Sequence, residues 1–527
     1  MSDENQDPPA DTPADRSAAA AAGPGELVHA VRRGTRWVAL AQVATQLVSL
    51  AVLAVMYRLV RPEDYGLFAA ALPAVMLPRM AALLGLSTAV LQEREISRQE
   101  LSGLFWLNAA LGLAAAAVTS VCGPILAAAY GKPLLAPICL ALAGATVIAA
   151  LGNHHLALLE RELKLREASA ARLVALIAGG LAGILTARRG AGVWALVAQQ
   201  FTELTILMVW SWMLEPWRPG WPGPTGELRR FVAFGGAYSL SQLVNYAALN
   251  LDKVVIPLAL GTAADRVLGL YSQAFNLMMR PVNVLTSPLT GVIVAGLAKA
   301  RDDRALRTEL ATRFFRLAAV GLVPSAVGLT LVARDVMLVL GGPAWSDAGL
   351  LLACLAPSIV AQGLNNLGAY VLSAAGRAGQ LLVAMSLLLV LLLQAMLVGL
   401  YFGRYLGGAT TAQAVLGPAL GIALAQTAVL TLVWLGPYLG FCLRSADLEV
   451  RSVLRALWPT ARGALVMGLA VWALRNLLDL SPPVPLAWRL IVLIAAGVVV
   501  YSLVAWREVR WAIGEFTLAR DAGHSAA

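Results

Sequence analysis

Charge is scarce in this chain. Only 13% of its 527 residues are Asp, Glu, Lys or Arg, about half the share of a soluble globular protein. Cysteine is scarcer still. Cys122, Cys139, Cys354 and Cys442 form no C-x-x-C pair and lie in or beside apolar runs. That excludes a disulfide scaffold or thiolate metal site and reads as inert packing. Acids are nearly missing from the apolar stretches, where Glu203 and Asp252 are the main ones. No nucleophile–base pair, phosphate-binding glycine loop or metal cluster is visible, so neither an enzyme nor a cofactor is expected. The basic excess of +10 comes without the clustered basic and aromatic surface that nucleic acid requires. Residues 1–26, rich in Pro, Ala and Asp, lack the basic start and apolar run of a signal peptide. They read as a disordered cytoplasmic tail, drawn to residue 30 in the domain plan.

What is abundant is apolar. Hydrophobic residues make up 59% of the chain and the mean hydropathy is +0.73. The excess runs in blocks of about 20 residues, the length that crosses a bilayer core of roughly 30 Å. The period-two alternation of a membrane barrel is absent. The expected fold is all-α, a polytopic membrane protein with about 14 spans. Orientation follows from Lys and Arg. With the N-terminus inside, 27 of the 40 fall in inner segments and 9 in outer ones, which places both termini in the cytoplasm. No outer loop is long enough for a folded domain.

The chain repeats. Gln46, Leu47, Val48, Ala51 and Leu53 of the first span recur as Gln242, Leu243, Val244, Ala247 and Leu249 of the seventh. The second span opens Gly66-Leu67-Phe68-x-x-Ala71 and the eighth Gly269-Leu270-Tyr271-x-x-Ala274. Phe105, Ala109, Ala110, Gly112 and Leu113 recur as Phe314, Ala318, Ala319, Gly321 and Leu322, and Asn153 matches Asn365. The expected plan is two pseudo-symmetric six-helix lobes, 31–215 and 216–440, with two more spans in 441–527. Six spans per repeat is an even number, so the repeats are parallel, an arrangement of transporters that bind substrate between halves. The first and seventh spans are expected to face each other there.

Several short motifs then carry a resemblance. They are Arg58-Leu59-x-x-Pro62-x-Asp64-Tyr65-Gly66, Phe105-Trp106-x-Asn108, Gly192-Val193-Trp194-Ala195-Leu196, Asn250-x-Asp252 with Leu268-Gly269-x-Tyr271, Gly341-x-x-x-Trp345, and Gly376-Arg377. In this order they resemble the polysaccharide-transporter family of lipid-linked oligosaccharide flippases. The superfamily also holds multidrug exporters of the toxin-extrusion type. One departure is Val294-Ala295-Gly296, where the family has an aromatic–Pro pair. The resemblance implies an inner-membrane flippase. It would move undecaprenyl-diphosphate-linked repeat units from the cytoplasmic to the periplasmic leaflet for capsule, exopolysaccharide or O-antigen synthesis. Membrane lipids and a polysaccharide polymerase are the partners to expect, with the chain itself a monomer. A cell-wall precursor flippase, a cation-coupled drug exporter and a membrane polymerase or ligase are the alternatives.

A diphosphate calls for arginine, whose fork matches phosphate oxygens. Arg79 and Arg280 lie mid-span, each beside a proline, 13 and 11 residues after the matching glycines. At membrane depth an Arg must face a wet cavity or a partner; the alternative is snorkelling or pairing with helix-end carbonyls. Gln42, Thr45, Gln46 and Ser49 form one polar face on the first span, and Ser239, Gln242, Asn245 and Asp252 another on the seventh. These faces read either as glycan-facing stripes or as interhelical hydrogen bonds worth about 0.6–2 kcal/mol each. Asn365 either joins the cavity-lining candidates or bridges helices. Asp252-Lys253 reads as a local ion pair or an ion-coupling site. His154-His155 reads as a partner of Glu160, since neighbouring residues cannot share one helix face for zinc.

Overall fold

The computed structural model describes residues 24–82, 97–162, 164–221, 228–300, 303–406, 411–480 and 484–525. Among these there is helix and no strand, as a bilayer demands of a chain that must satisfy its own backbone groups. The first six helices are α1 (Pro24–Leu59), α2 (Pro62–Ala82), α3 (Arg98–Tyr130), α4 (Leu135–Arg161), α5 (Leu165–Arg188) and α6 (Trp194–Leu214). Then follow α7 (Leu228–Leu249), α8 (Asp252–Leu260), α9 (Ala264–Thr286), α10 (Leu289–Lys299), α11 (Arg304–Gly341), α12 (Ser346–Leu355) and α13 (Ser358–Ala374). The rest are α14 (Ala378–Leu406), α15 (Thr411–Ala428), α16 (Leu435–Ser445), α17 (Val450–Leu480), α18 (Leu486–Val504) and α19 (Trp506–Ser525). The tail before Pro24 lies outside the described residues, and α1 begins ahead of the expected boundary at 30.

Local chemistry sets several boundaries. Ser97 and Glu100 form a reciprocal capping box at the start of α3, and Gly131 ends it at φ 66°, a left-handed conformation that glycine adopts without a Cβ clash. Between α12 and α13 the chain bends by 55° at Ala356-Pro357, where proline removes a donor and disfavours helix at the preceding residue.

Among the described residues, eleven helices are long and apolar enough to cross a membrane, or twelve with the bent α12–α13 pair as one span. Fourteen were expected. The difference is α6 and α9, which have the length, at 21 and 23 residues, but carry too many polar side chains. Both turn those side chains to an interior cavity, described below.

Packing repeats as the sequence does. α1 packs on α5 as α7 packs on α14; α3 on α4 as α11 on α12 and α13; α5 on α6 as α14 on α15. α17 and α18 dock on α11, away from the seam between lobes. That seam departs from expectation. The main contact across it is α2 against α9, while α1 and α7 pack chiefly within their own lobes. The reason is visible in the repeat. A Cβ on Gly66 would lie 1.8 Å from the carbonyl oxygen of Asp265, and one on Gly269 would lie 1.8 Å from that of Pro62. The matched glycines let two backbones touch.

Candidate functional site

Beneath this crossing lies a cavity of about 370 Å³. Its wall takes Ser49, Val52, Leu53 and Met56 from α1, Tyr65 and Phe68 from α2, and Leu176 from α5. α6 adds Gln199, Gln200 and Glu203; α9 adds Ser272, Gln273, Asn276 and Arg280. The α9 residues recur at helical spacing, so one face of that helix is polar over two turns. Arg280 donates to Ser49 Oγ across the seam at 3.3 Å. Two residues singled out in the sequence for different reasons thus meet in one wall.

One end of the cavity is sealed. Tyr57, Tyr65 and Trp345 form a buried aromatic trio, with Tyr57 and Trp345 stacked at 4.3 Å. Trp345 Nε1 donates to the Tyr57 carbonyl at 2.8 Å, and the Tyr57 hydroxyl donates to Gln273 Oε1 at 3.1 Å. Beyond the trio, Lys132 pairs with Asp265, Arg266 with Glu63 at 3.5 Å, and Arg58 donates to the carbonyls of Val339 and Leu340. Apart from the Tyr57–Tyr65 ring contact, every one of these contacts joins the first lobe to the second. Arg58, Tyr65, Gly66, Gly269 and Trp345 all come from the short motifs of the sequence. Those five residues build the seal and its crossing, and Tyr65 also lines the cavity wall.

The other expected residues are distributed as follows. Arg79 is part-buried, has no hydrogen-bond or ion-pair partner among the described residues, and lies off the cavity lining. Gln42 and Gln46 stand one to two turns beyond Ser49, away from the seal, and do not line this cavity. Gln242 and Asn245 on α7 are part-buried and also outside it.

Asn365 bridges helices, the second of its two readings. It is buried, accepts from Trp434 Nε1 at 3.0 Å through its side chain, and from the Tyr438 hydroxyl at 3.3 Å through its carbonyl. It joins α13 to the helices that follow α15 and is not part of this cavity's lining. Asp252 and Lys253 do not form an ion pair: Lys253 Nζ donates to Asn250 Oδ1, and neither Asp252 oxygen has a hydrogen-bond partner. Glu160 pairs with Arg172 rather than with a histidine. His155 stacks on Trp212 at 4.2 Å and donates through Nε2 to the Trp217 carbonyl at 3.2 Å. No group of three or more metal-binding side chains occurs among the described residues.

Sequence reasoning passed over Gln199, Gln200, Gln273 and Asn276, and used Glu203 only as a scarce acid. The signal was present in the polarity that sets α6 and α9 apart from the other spans. A larger cleft of about 850 Å³ opens among α11, α17 and α19. Its arginines are each held by a carboxylate, Arg316 by Glu508 and Arg313 by Glu309, both at 2.6 Å, and Arg304 by Asp447 at 3.2 Å, so it offers no cation without an ion pair comparable to Arg280.

A cavity at a pseudo-symmetric seam, sealed at one end by contacts from both repeats, is the anatomy of a transporter. The model of a family described as polysaccharide biosynthesis protein matches residues 55–349, which contain the seam, the cavity and the seal. The chain belongs to this family. Among its relatives, lipopolysaccharide biosynthesis protein WzxC of Escherichia coli (strain K12) is 25% identical over 323 residues, 60% of this chain and 64% of that protein. Succinoglycan biosynthesis transport protein ExoT of Rhizobium meliloti (strain 1021) is 25% identical over 328 residues, 62% of this chain and 66% of that protein. The matched part thus spans just under two thirds of either relative. In fold, the family member is similar to the lipid II flippase MurJ in an inward closed conformation, with a TM-score of 0.68 at 13% identity over 90% of this chain and 99% of that one. It is also similar to an inward-facing multidrug resistance MATE family transporter of the MOP superfamily, with a TM-score of 0.55 at 14% identity over 75% and 95%.

Proposed function

We propose that the chain moves undecaprenyl-diphosphate-linked oligosaccharide units from the cytoplasmic to the periplasmic leaflet of the inner membrane, by alternating access, for surface polysaccharide synthesis. The observation that carries this reading is Arg280, a cation at membrane depth in the wall of a polar cavity at the seam. An intramembrane charge is retained where it serves a substrate or an ion, and an arginine fork suits diphosphate oxygens. Arg79 stands at nearly the matching place in the first repeat and is the second diphosphate ligand of this reading. Asp252, buried without a partner beside Lys253, is the place where an ion would couple to transport. The lobes are 31–215 and 216–440. The protein acts as a monomer, handing its substrate to a polymerase on the far side.

Deleting the gene tests the function. Surface polysaccharide should be lost, and a diphosphate-linked oligosaccharide should accumulate with its glycan facing the cytoplasm. Normal polysaccharide in the deletion strain would refute it.

With both termini cytoplasmic, the seal faces the periplasm and the structure is closed on that side. Reporter fusions at Lys132, Arg189 and Arg404 should then score periplasmic, and fusions at Leu165, Ala305 and Val450 cytoplasmic. The opposite result at two or more sites would overturn the orientation.

A further inference from the structure

Arg280 and Glu203 are the two charged side chains among the described residues lining the cavity. Glu203 makes no hydrogen bond or ion pair with a described residue, although it sits at membrane depth where an unpaired charge is expensive. Its place on the wall is fixed from behind. A Cβ on Gly179 of α5 would lie 2.8 Å from both Glu203 Cβ and the Gln199 carbonyl oxygen, so α5 and α6 touch backbone to backbone at this level. Gln199 lies one turn from Glu203 on the same face. Gln200, Gln273 and Asn276 supply further amides, and Tyr65 and Phe68 supply aromatic surface.

The two charges stand at different depths. Gly192, just before α6, lies against Asp64, and Asp265 lies against Gly66, so α6 and α9 leave the seal at nearly one level. Glu203 follows Val193 by ten residues and Arg280 follows Asp265 by fifteen. At 1.5 Å per residue the drops are about 15 Å and roughly 22 Å. Glu203 therefore lies nearer the seal, about 7 Å beyond Arg280. A substrate entering from the unsealed end, with its diphosphate on Arg280, places the sugars that follow the diphosphate beside Glu203.

Resting on the diphosphate reading above, we infer that Glu203 makes the cavity select glycans whose sugars next to the diphosphate are uncharged. An ionised carboxylate accepts hydrogen bonds and offers none. Sugar hydroxyls are donors and satisfy it. A uronate or other acidic sugar at the same place sets two carboxylates against each other with no cation between them. At about 6 Å and an effective dielectric of about 20, that repulsion is equivalent to a discrimination on the order of 100-fold. Specificity by repulsion of the wrong ligand is a common device. The amides alone do not supply it, because they pair with neutral and acidic sugars alike.

The test uses two host strains that lack their own flippase. One makes a neutral repeat unit; the other makes a unit with an acidic sugar adjoining the diphosphate. The full chain, Glu203→Gln and Glu203→Ala are expressed in both. Surface polysaccharide and accumulated lipid-linked intermediate are measured against membrane abundance. The native chain should export the neutral unit at least about tenfold better than the acidic one, and Glu203→Gln should bring that ratio to within about threefold. Glu203→Ala, which removes the charge together with the stem, should relax the ratio in the same direction. Equal export of both units by the native chain overturns the inference, as does a ratio unchanged in Glu203→Gln or an equal fall for both units. Export of neither unit by the native chain would instead sink the flippase reading, and this inference with it.

Discussion

Arg280→Met is expected to reduce polysaccharide export by about 10- to 100-fold at normal membrane abundance. A hydrogen bond to a charged group contributes about 1.5–3 kcal/mol, so the net loss of one such bond to the diphosphate accounts for a fall of this size. Methionine keeps a long apolar stem, so the loss reports charge and fork rather than packing. Arg280→Lys should fall between the two, because lysine retains the charge without the planar geometry. The bond to Ser49 Oγ is a neutral-acceptor contact across the seam, so Ser49→Ala should have a much smaller effect. Export at native level by an abundant Arg280→Met protein would remove this side chain from the substrate site.

The second large effect is expected at the seam. Gly66→Ala places a methyl group 1.8 Å from the Asp265 carbonyl oxygen, far inside van der Waals contact. That neighbour is backbone, not a side chain that can swing aside, and close-packed interiors do not absorb such an overlap. α2 and α9 must separate, drawing apart Tyr57 and Trp345 and the Lys132–Asp265 pair. Gly269→Ala should act alike, since its Cβ meets the Pro62 carbonyl at the same distance. Both variants should hold the seal open and lower export by about tenfold or more, as expected when one of two required states is depopulated. With the native cysteines replaced, a cysteine at Ser272, in the cavity wall, should label faster from the sealed side in Gly66→Ala than in its parent. Unchanged labelling and export would show that the crossing tolerates separation.

Much of the fold was legible in the sequence because a bilayer leaves few choices. Runs of about 20 apolar residues must be helices, and the Gly66 and Gly269 matches identified equivalent spans. Their meeting was not legible. A glycine opening an apolar helix looks the same whether it faces lipid or another backbone. Arg280 and Ser49 were found because polar groups at membrane depth need a reason to be there. Asn365 keeps two readings in the sequence because an amide on a helix face looks identical whether it opens to a cavity or bonds to Trp434. Glu160 was assigned to the histidines on proximity along the chain, whereas Arg172 reaches it from α5. α6 and α9 deserved more weight, since spans that hold their length while losing apolar character are the ones that line a polar interior.

Transbilayer movement itself decides the central claim. The purified full chain is placed in vesicles containing an undecaprenyl-diphosphate oligosaccharide. The fraction of glycan open to an externally added glycan-modifying enzyme is then followed in time. The account predicts that this fraction rises beyond the outer-leaflet share with the native chain, rises about 10- to 100-fold more slowly with Arg280→Met, and stays at that share in protein-free vesicles. Native chain that leaves the fraction at the protein-free level, under conditions where Gly66→Ala and its parent differ in labelling at Ser272, would contradict it.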